Sequence, residues 1–126
     1  MLLAVAEHEH LQNELIPRIA SGLCSGVART GGMCGAVSGG ILAIGLLLGR
    51  DEPVDSIDPC YRAVREFLAQ FTQRYGSINC LELTGVHLGT PEGQAGFKEK
   101  GQIEQCTGYV GDAAQMVISL KGSTSH

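Results

Sequence analysis

From Cys34 to Leu48 the sequence CGAVSGGILAIGLLL carries no charged residue and is apolar on every side. A helix of that kind has no face to turn to water, so it must lie at the centre of the fold with other elements packed around it. Gly35 and Gly39 lie four apart, a spacing that lets a second backbone come close. In a membrane such a spacing pairs helices; in a globular chain it serves tight core packing or the seam of a homodimer. The apolar run Ile41 to Leu48 is far short of the ~20 residues that cross a bilayer, so no membrane span is expected. Gly49 ends the helix.

The rest of the chain reads as helices cut by glycine-rich turns. Leu2 to about Leu11 predicts a short helix, and Pro17 suits the first position of a second, where its missing N–H costs nothing. Ile16, Ile19, Ala20 and Leu23 give that second helix an apolar face, which fades at Gly26. Arg29-Thr30-Gly31-Gly32 is a turn. The clearest helix runs from Pro59 to Tyr75, with Asp58 as its cap. There Tyr61, Val64, Leu68, Phe71 and Tyr75 follow steps of three and four, and Gly76 is a natural terminator. Asn79 to Thr84 adds one short helical turn. Gly85 to Gly101, with five glycines and Pro91, reads as a long loop; loops of that length are more often functional than inert. A last helix spans Gln102 to Leu120, with Ile103, Cys106, Val110, Ala113 and Val117 on one face, and residues 122–126 form a frayed tail. No strand is expected. The fold class is all-α: a single domain over residues 1–121, an irregular bundle of about five helices around the glycine-rich one.

Composition narrows the function. Apolar residues make up 44% of the 126, enough for a real core and too many for disorder. There are six aromatics and no tryptophan, so Leu, Ile, Val and Ala must build that core. Nine basic and thirteen acidic residues give a net charge of −4 with no basic stripe, which argues against nucleic-acid binding. The apolar start, Met1 to Ala6, has no basic flank and does not read as a signal peptide. The expected location is therefore cytoplasmic, where thiols stay reduced. Five cysteines, an odd number, do not read as a set of structural disulfides.

Cys34 carries the sharpest signal. It follows Gly31-Gly32 and opens the central helix, where unpaired N–H groups and the helix dipole favour a thiolate. Cys80, after Ser77 and Asn79, opens a shorter helix, and the same argument applies to it more weakly. Cys106 points inward from the last helix, as a core cysteine or as a ligand for a buried centre. Cys24 sits ten residues before Cys34 and can approach it, while Cys60 reads as core. No pair has C-x-x-C spacing, so any site must be assembled from distant segments. His8 and His10 read as solvated, and His87 borders the glycine-rich loop, where it can serve as a ligand, a proton carrier or a surface residue. No P-loop follows those glycines, because no G-K-[ST] is present.

Cys34-Gly35-Ala36-Val37-Ser38-Gly39 matches C-G-A-x-x-G, and the helix behind it ends in Gly-Leu-Leu-Leu-Gly. Phe71-Thr72-Gln73-Arg74-Tyr75-Gly76-Ser77-Ile78-Asn79-Cys80-Leu81-Glu82-Leu83 follows, then Cys106 in a last amphipathic helix. Over nearly its whole length the chain resembles a family of redox-active proteins named for four cysteines and a C-G-A-x-x-G motif. That resemblance implies that the family's second, third and fourth cysteines fall on Cys34, Cys80 and Cys106. The family's first cysteine falls upstream of Leu2, outside this sequence, and Cys24 and Cys60 have no place in the pattern. Redox chemistry with an unnamed partner is implied, in a family often encoded beside transporters.

Three functions follow as expectations. Cys34, Cys80 and Cys106 can hold an iron–sulfur cluster or a soft metal ion for electron transfer, since thiolates suit both. They can instead form a thiol–disulfide switch, with Cys34 as nucleophile and Cys80 or Cys106 resolving. Or the cysteines are structural and the chain is a non-catalytic, dimeric interaction module.

Overall fold

The uncharged run becomes the central helix, buried from Ala36 to Gly40 and at Ala43 and Ile44, while Gly45 and Leu46 near its end are exposed. The structure, a computed structural model, describes residues 1–124. Seven right-handed α-helices form there: α1 Leu2–His8, α2 Leu15–Ile19, α3 Gly35–Leu48, α4 Asp58–Tyr75, α5 Cys80–Thr84, α6 Pro91–Glu99 and α7 Gln102–Thr124. Among the described residues there is no strand, only one isolated antiparallel bridge between Met33 and Asn79. No helix among them is long and apolar enough to cross a membrane. The all-α expectation holds, with seven helices in place of about five.

α3 packs on α1, α4 and α7 at once. Val37, Ala43 and Ile44 are fully buried against Phe67 and Phe71 of α4 and Ala113 and Val117 of α7. Two glycines set how closely these elements meet. A Cβ on Gly40 would lie 2.5 Å from the tip of the Phe67 ring, and one on Gly39 would lie 3.0 Å from the Met1 Cβ. Small residues on α3 thus make room for the largest side chains of the core. That explains why the buried stripe of α4 is Ala63, Phe67 and Phe71, turned from the expected one. Tyr61, expected inside, is 52% exposed.

Tyr75 remains useful at the far end of the stripe. Its ring and those of Phe71 and Tyr109 form a cluster with centroids 4.7–5.9 Å apart. Its hydroxyl donates to Asp112, whose other neighbour is the Arg74 guanidinium at 3.4 Å. α4 and α7 are joined there by rings and charge together. At the other end of α7, Lys121 reaches Glu9 at 2.6 Å and holds that carboxyl below its ordinary range. Gly76 ends α4 as expected, with φ 84° and its N–H on the Thr72 carbonyl.

Several boundaries differ from expectation, each for a local reason. α1 stops at His8, because His10 takes a left-handed conformation with φ 59°. α2 ends at Ile19, with Pro17 at its third position, and a 3-10 turn Ser21–Leu23 follows. Asp58 makes no side-chain cap for α4; its own N–H donates to the Ser56 hydroxyl instead. The expected loop from 85 to 101 contains α6, opened by Pro91 and capped by the Thr90 hydroxyl, which accepts from the Gly93 N–H at 3.0 Å. On α7 the buried apolar residues are Tyr109, Ala113, Val117 and Leu120, while Ile103, expected inside, is 64% exposed. α7 continues to Thr124; of the expected tail, residues 125 and 126 lie outside the described residues.

The largest departure is the segment Cys24–Arg29, where a right-handed helix was expected to fade. It coils left-handed: Ser25, Gly26, Val27 and Ala28 have φ between 55° and 67°, and Arg29 has φ 67°. Left-handed helical backbone costs an L-residue about 1–2 kcal/mol, and for β-branched Val27 it is a true outlier. The coil is clamped by Thr30, whose hydroxyl donates to the Gly26 and Val27 carbonyls at 3.0 and 2.9 Å. The Gly32 N–H donates to the Gly26 carbonyl at 2.9 Å.

Candidate functional site

Two backbone hydrogen bonds bring Cys34 and Cys80 together. The Cys34 N–H donates to the Ile78 carbonyl and the Cys80 N–H to the Gly32 carbonyl, each at 2.7 Å, on either side of the Met33–Asn79 bridge. In an antiparallel pair alternate residues share a face, so Cys34 and Cys80 occupy diagonal positions on one face of this minimal ladder. Each then starts a helix. Cys34 is the residue before α3, and its carbonyl accepts from the N–H groups of Val37 and Ser38 and from the Ser38 hydroxyl. Cys80 opens α5, and its carbonyl accepts from the Thr84 hydroxyl at 2.8 Å. Both cysteines are buried.

Cys106 is brought in by α7 through two glutamines. The side-chain amide of Gln102 donates to the Thr84 carbonyl at 2.7 Å and that of Gln105 to the Leu83 carbonyl at 3.0 Å. These carbonyls end α5, where helix acceptors lack partners of their own. The first turn of α7 is thereby fastened to α5, and Cys106 comes to the same place as Cys80. Sequence reasoning missed both glutamines, since nothing in a polar residue at a helix start shows which distant carbonyl it will meet.

Cys34, Cys80 and Cys106 line one cavity of about 510 Å³, and Cys24 lines it too. The expected approach of Cys24 is present: a Cβ on Gly35 would lie 3.7 Å from the Cys24 Cα. Cys60 packs against the core and is not part of this lining. Neither is His87, whose Nδ1 accepts from the Gly89 N–H in its own turn. His8 and His10 are exposed, His8 beside Glu9. All five cysteines are free thiols.

Burial decides the electrostatics here. It pushes the Cys80 thiol above its ordinary range, the neighbouring Cys34 adds to this, and Thr84 opposes it weakly. Burial also raises Cys106, with Cys34 and Cys80 adding to it. The expectation that its helix start would acidify Cys80 is therefore overturned: a five-residue helix offers little dipole, and desolvation outweighs it. The sign for stability follows. The unfolded chain ionises these thiols from about pH 8.5, while the folded chain holds their protons to higher pH. Folding stability is full below that pH and falls as pH rises toward the raised folded-state values. Thermal unfolding of Cys80→Ala or Cys106→Ala protein is expected to lose less midpoint temperature above pH 8.5 than the parent. Parallel alkaline profiles would refute this.

The left-handed coil lies directly on Cys80. A Cβ on Gly26 would fall 2.5 Å from the Cys80 Cβ and 3.1 Å from its sulfur, at a φ of +67°. Gly26→Ala combines left-handed strain with overpacking, so a loss of about 2–4 kcal/mol is expected. Urea unfolding measures it, and alkylation of Cys80 should change in step. Unchanged midpoint and unchanged alkylation would mean that the coil does not rest on Cys80 in solution.

Among the described residues, no three or more His, Cys, Asp or Glu side chains are grouped so as to hold a metal ion. A family model described as "Putative redox-active protein (C_GCAxxG_C_C)" matches residues 1–120. No curated protein and no solved structure matches the chain.

Proposed function

The chain belongs to the C_GCAxxG_C_C family of redox-active proteins, and from that premise we propose that its redox chemistry is thiol–disulfide exchange at Cys34, Cys80 and Cys106. The observation that carries the reading is the bridge at Met33 and Asn79, which holds Cys34 and Cys80 on one face beside a cavity. Cys34, after giving its proton to solvent, attacks one sulfur of a disulfide as the thiolate, forming a mixed disulfide and expelling the other sulfur as a thiolate. That thiolate takes the Cys80 proton. Cys80 then attacks the Cys34 sulfur and expels the second thiolate, which takes up a proton from solvent. The co-reactant gains two electrons and becomes two thiols; Cys34 and Cys80 lose two electrons and become a disulfide.

A protonated, buried Cys80 suits the resolving role, since it does not compete for the first attack. Diagonal positions stand about 7–8 Å apart at Cα, slightly beyond the ~6.8 Å limit of a disulfide. Closing the bond therefore draws the two segments together, and the Cys34 and Cys80 amides should change their hydrogen exchange on oxidation. Treatment with hydroxyethyl disulfide followed by peptide mapping is the test. A Cys34–Cys80 crosslink with Cys60 free is the expected result; both thiols staying reduced would end this reading.

A second reading keeps the residues and adds a metal. Four cysteines around one cavity are a soft donor set of the kind that holds an iron–sulfur cluster or a soft metal ion. The described side chains would have to close on such a group before three of them could ligate it. Protein purified without oxygen is expected to carry well under one metal per chain. Stoichiometric iron or zinc, with the pocket thiols protected from alkylation, would install this reading in place of the first.

A further inference from the structure

The cavity beside the thiols is itself a binding site in shape and chemistry. Its volume of about 510 Å³ lies within the range of small-molecule pockets, about 300–1,000 Å³. Its walls are mainly apolar, with Leu23, Phe97 and Val110 among them, and none of the residues lining it is acidic. Arg29, an exposed residue, is the one Lys, Arg, Asp or Glu of the lining, and among the described residues it makes no ion pair. It is brought there by the left-handed coil, which starts at Ser25 and ends at Arg29, both lining residues. Strain of that kind persists only where the surroundings enforce it, and it clusters at ligand sites.

We propose that the cavity takes a small disulfide carried on an apolar chain that ends in a carboxylate. The chain lies along the apolar walls, the carboxylate meets Arg29, and the disulfide lies against Cys34. This assignment rests on the thiol-exchange reading and names its substrate class. The electron count is the one given above: the bound disulfide is reduced to a dithiol as Cys34 and Cys80 are oxidised. A pocket with no acidic wall and an unpaired guanidinium selects against cations, and its apolar walls leave polar disulfides without partners.

Three probes share one reactive ring and separate the contributions. Lipoate has the apolar chain and the carboxylate, lipoamide has the chain alone, and 1,2-dithiolane-4-carboxylate has the charge without the chain. Loss of free thiols in the full chain is followed for each, with each rate divided by that of free cysteine. Lipoate is expected to outpace 1,2-dithiolane-4-carboxylate at least about tenfold, since each buried methylene contributes about 0.8 kcal/mol. Its lead over lipoamide should be about fivefold or less, the scale of an exposed ion pair, and Arg29→Gln should remove it. Octanoate, which has no disulfide, should slow alkylation of Cys34 and Cys106 but leave Cys60 unaffected. Equal normalised rates for lipoate and the short dithiolane, or no protection by octanoate, would overturn the pocket assignment while thiol exchange stands. Oxidation by hydroxyethyl disulfide but by none of the three would overturn this assignment alone; oxidation by none of the four would overturn thiol exchange, and this assignment with it.

Discussion

Replacing Cys34 with serine is expected to slow disulfide-driven oxidation of the remaining cavity thiols at least about a hundredfold, because a hydroxyl at neutral pH is no substitute for a thiolate. The fold should be retained at a modest cost. The Cys34 backbone holds Ile78 through its N–H and Val37 and Ser38 through its carbonyl, and serine keeps all of these. Its buried sulfur also joins the core cluster, where a serine hydroxyl of nearly the same volume costs about 1–3 kcal/mol if it finds no partner. An unfolding midpoint lowered by no more than this, together with lost reactivity, would separate chemistry from stability. Cys80→Ser should fail differently. It leaves the attacking thiol in place, so hydroxyethyl disulfide should trap a mixed disulfide on Cys34, visible as a mass increase on that peptide. Oxidation of Cys34→Ser protein at the parent's rate would move the first attack to another cysteine.

The parts of this centre differ in how far the sequence revealed them, and physics explains the difference. The central helix was legible because an uncharged run with no polar face has one solution, burial. α4 was legible from its period and its terminating glycine. The three cysteines could be singled out by order, Cys34 and Cys80 also by their place at helix starts and Cys106 by the inward face of its helix, but not their meeting. That depends on a two-residue bridge and two glutamine side chains, contacts between segments far apart in the chain. The left-handed coil was the least legible element. Ser25, Val27, Ala28 and Arg29 all prefer right-handed or extended backbone, so local preference pointed away from what the surroundings enforce. α6 was hidden for the opposite reason: Gly93 and Gly96 suggested a loop, while the Thr90 cap and Pro91 start a helix regardless. The rotated stripe of α4 shows how packing corrects period. Phe67 sits inward because Gly40 faces it, and no reading of α4 alone contains that fact.

That contact supports the second large effect. Phe67→Ala should cost about 3–5 kcal/mol, as expected for emptying a fully buried aromatic site. Against a total stability of about 5–15 kcal/mol for a domain of this kind, that is a severe loss. Gly40→Ala offends in the opposite sense. Alanine adds about 1 kcal/mol of helix propensity, but its Cβ would stand 2.5 Å from the Phe67 ring, and overpacking costs about 1–3 kcal/mol. Placed in the Phe67→Ala background the same alanine meets empty space, so its clash disappears and its propensity gain remains. The double variant should therefore be more stable than Phe67→Ala alone, with a coupling of about 1–3 kcal/mol between the two sites. Urea unfolding of the four proteins measures it, and costs that simply add would mean the ring and the glycine are not in contact. The same series reaches the thiols, because α3 begins directly after Cys34 and is held from behind by Phe67. Alkylation of Cys34 should accelerate in Phe67→Ala and return toward the parent's rate in the double variant, tracking the position of α3.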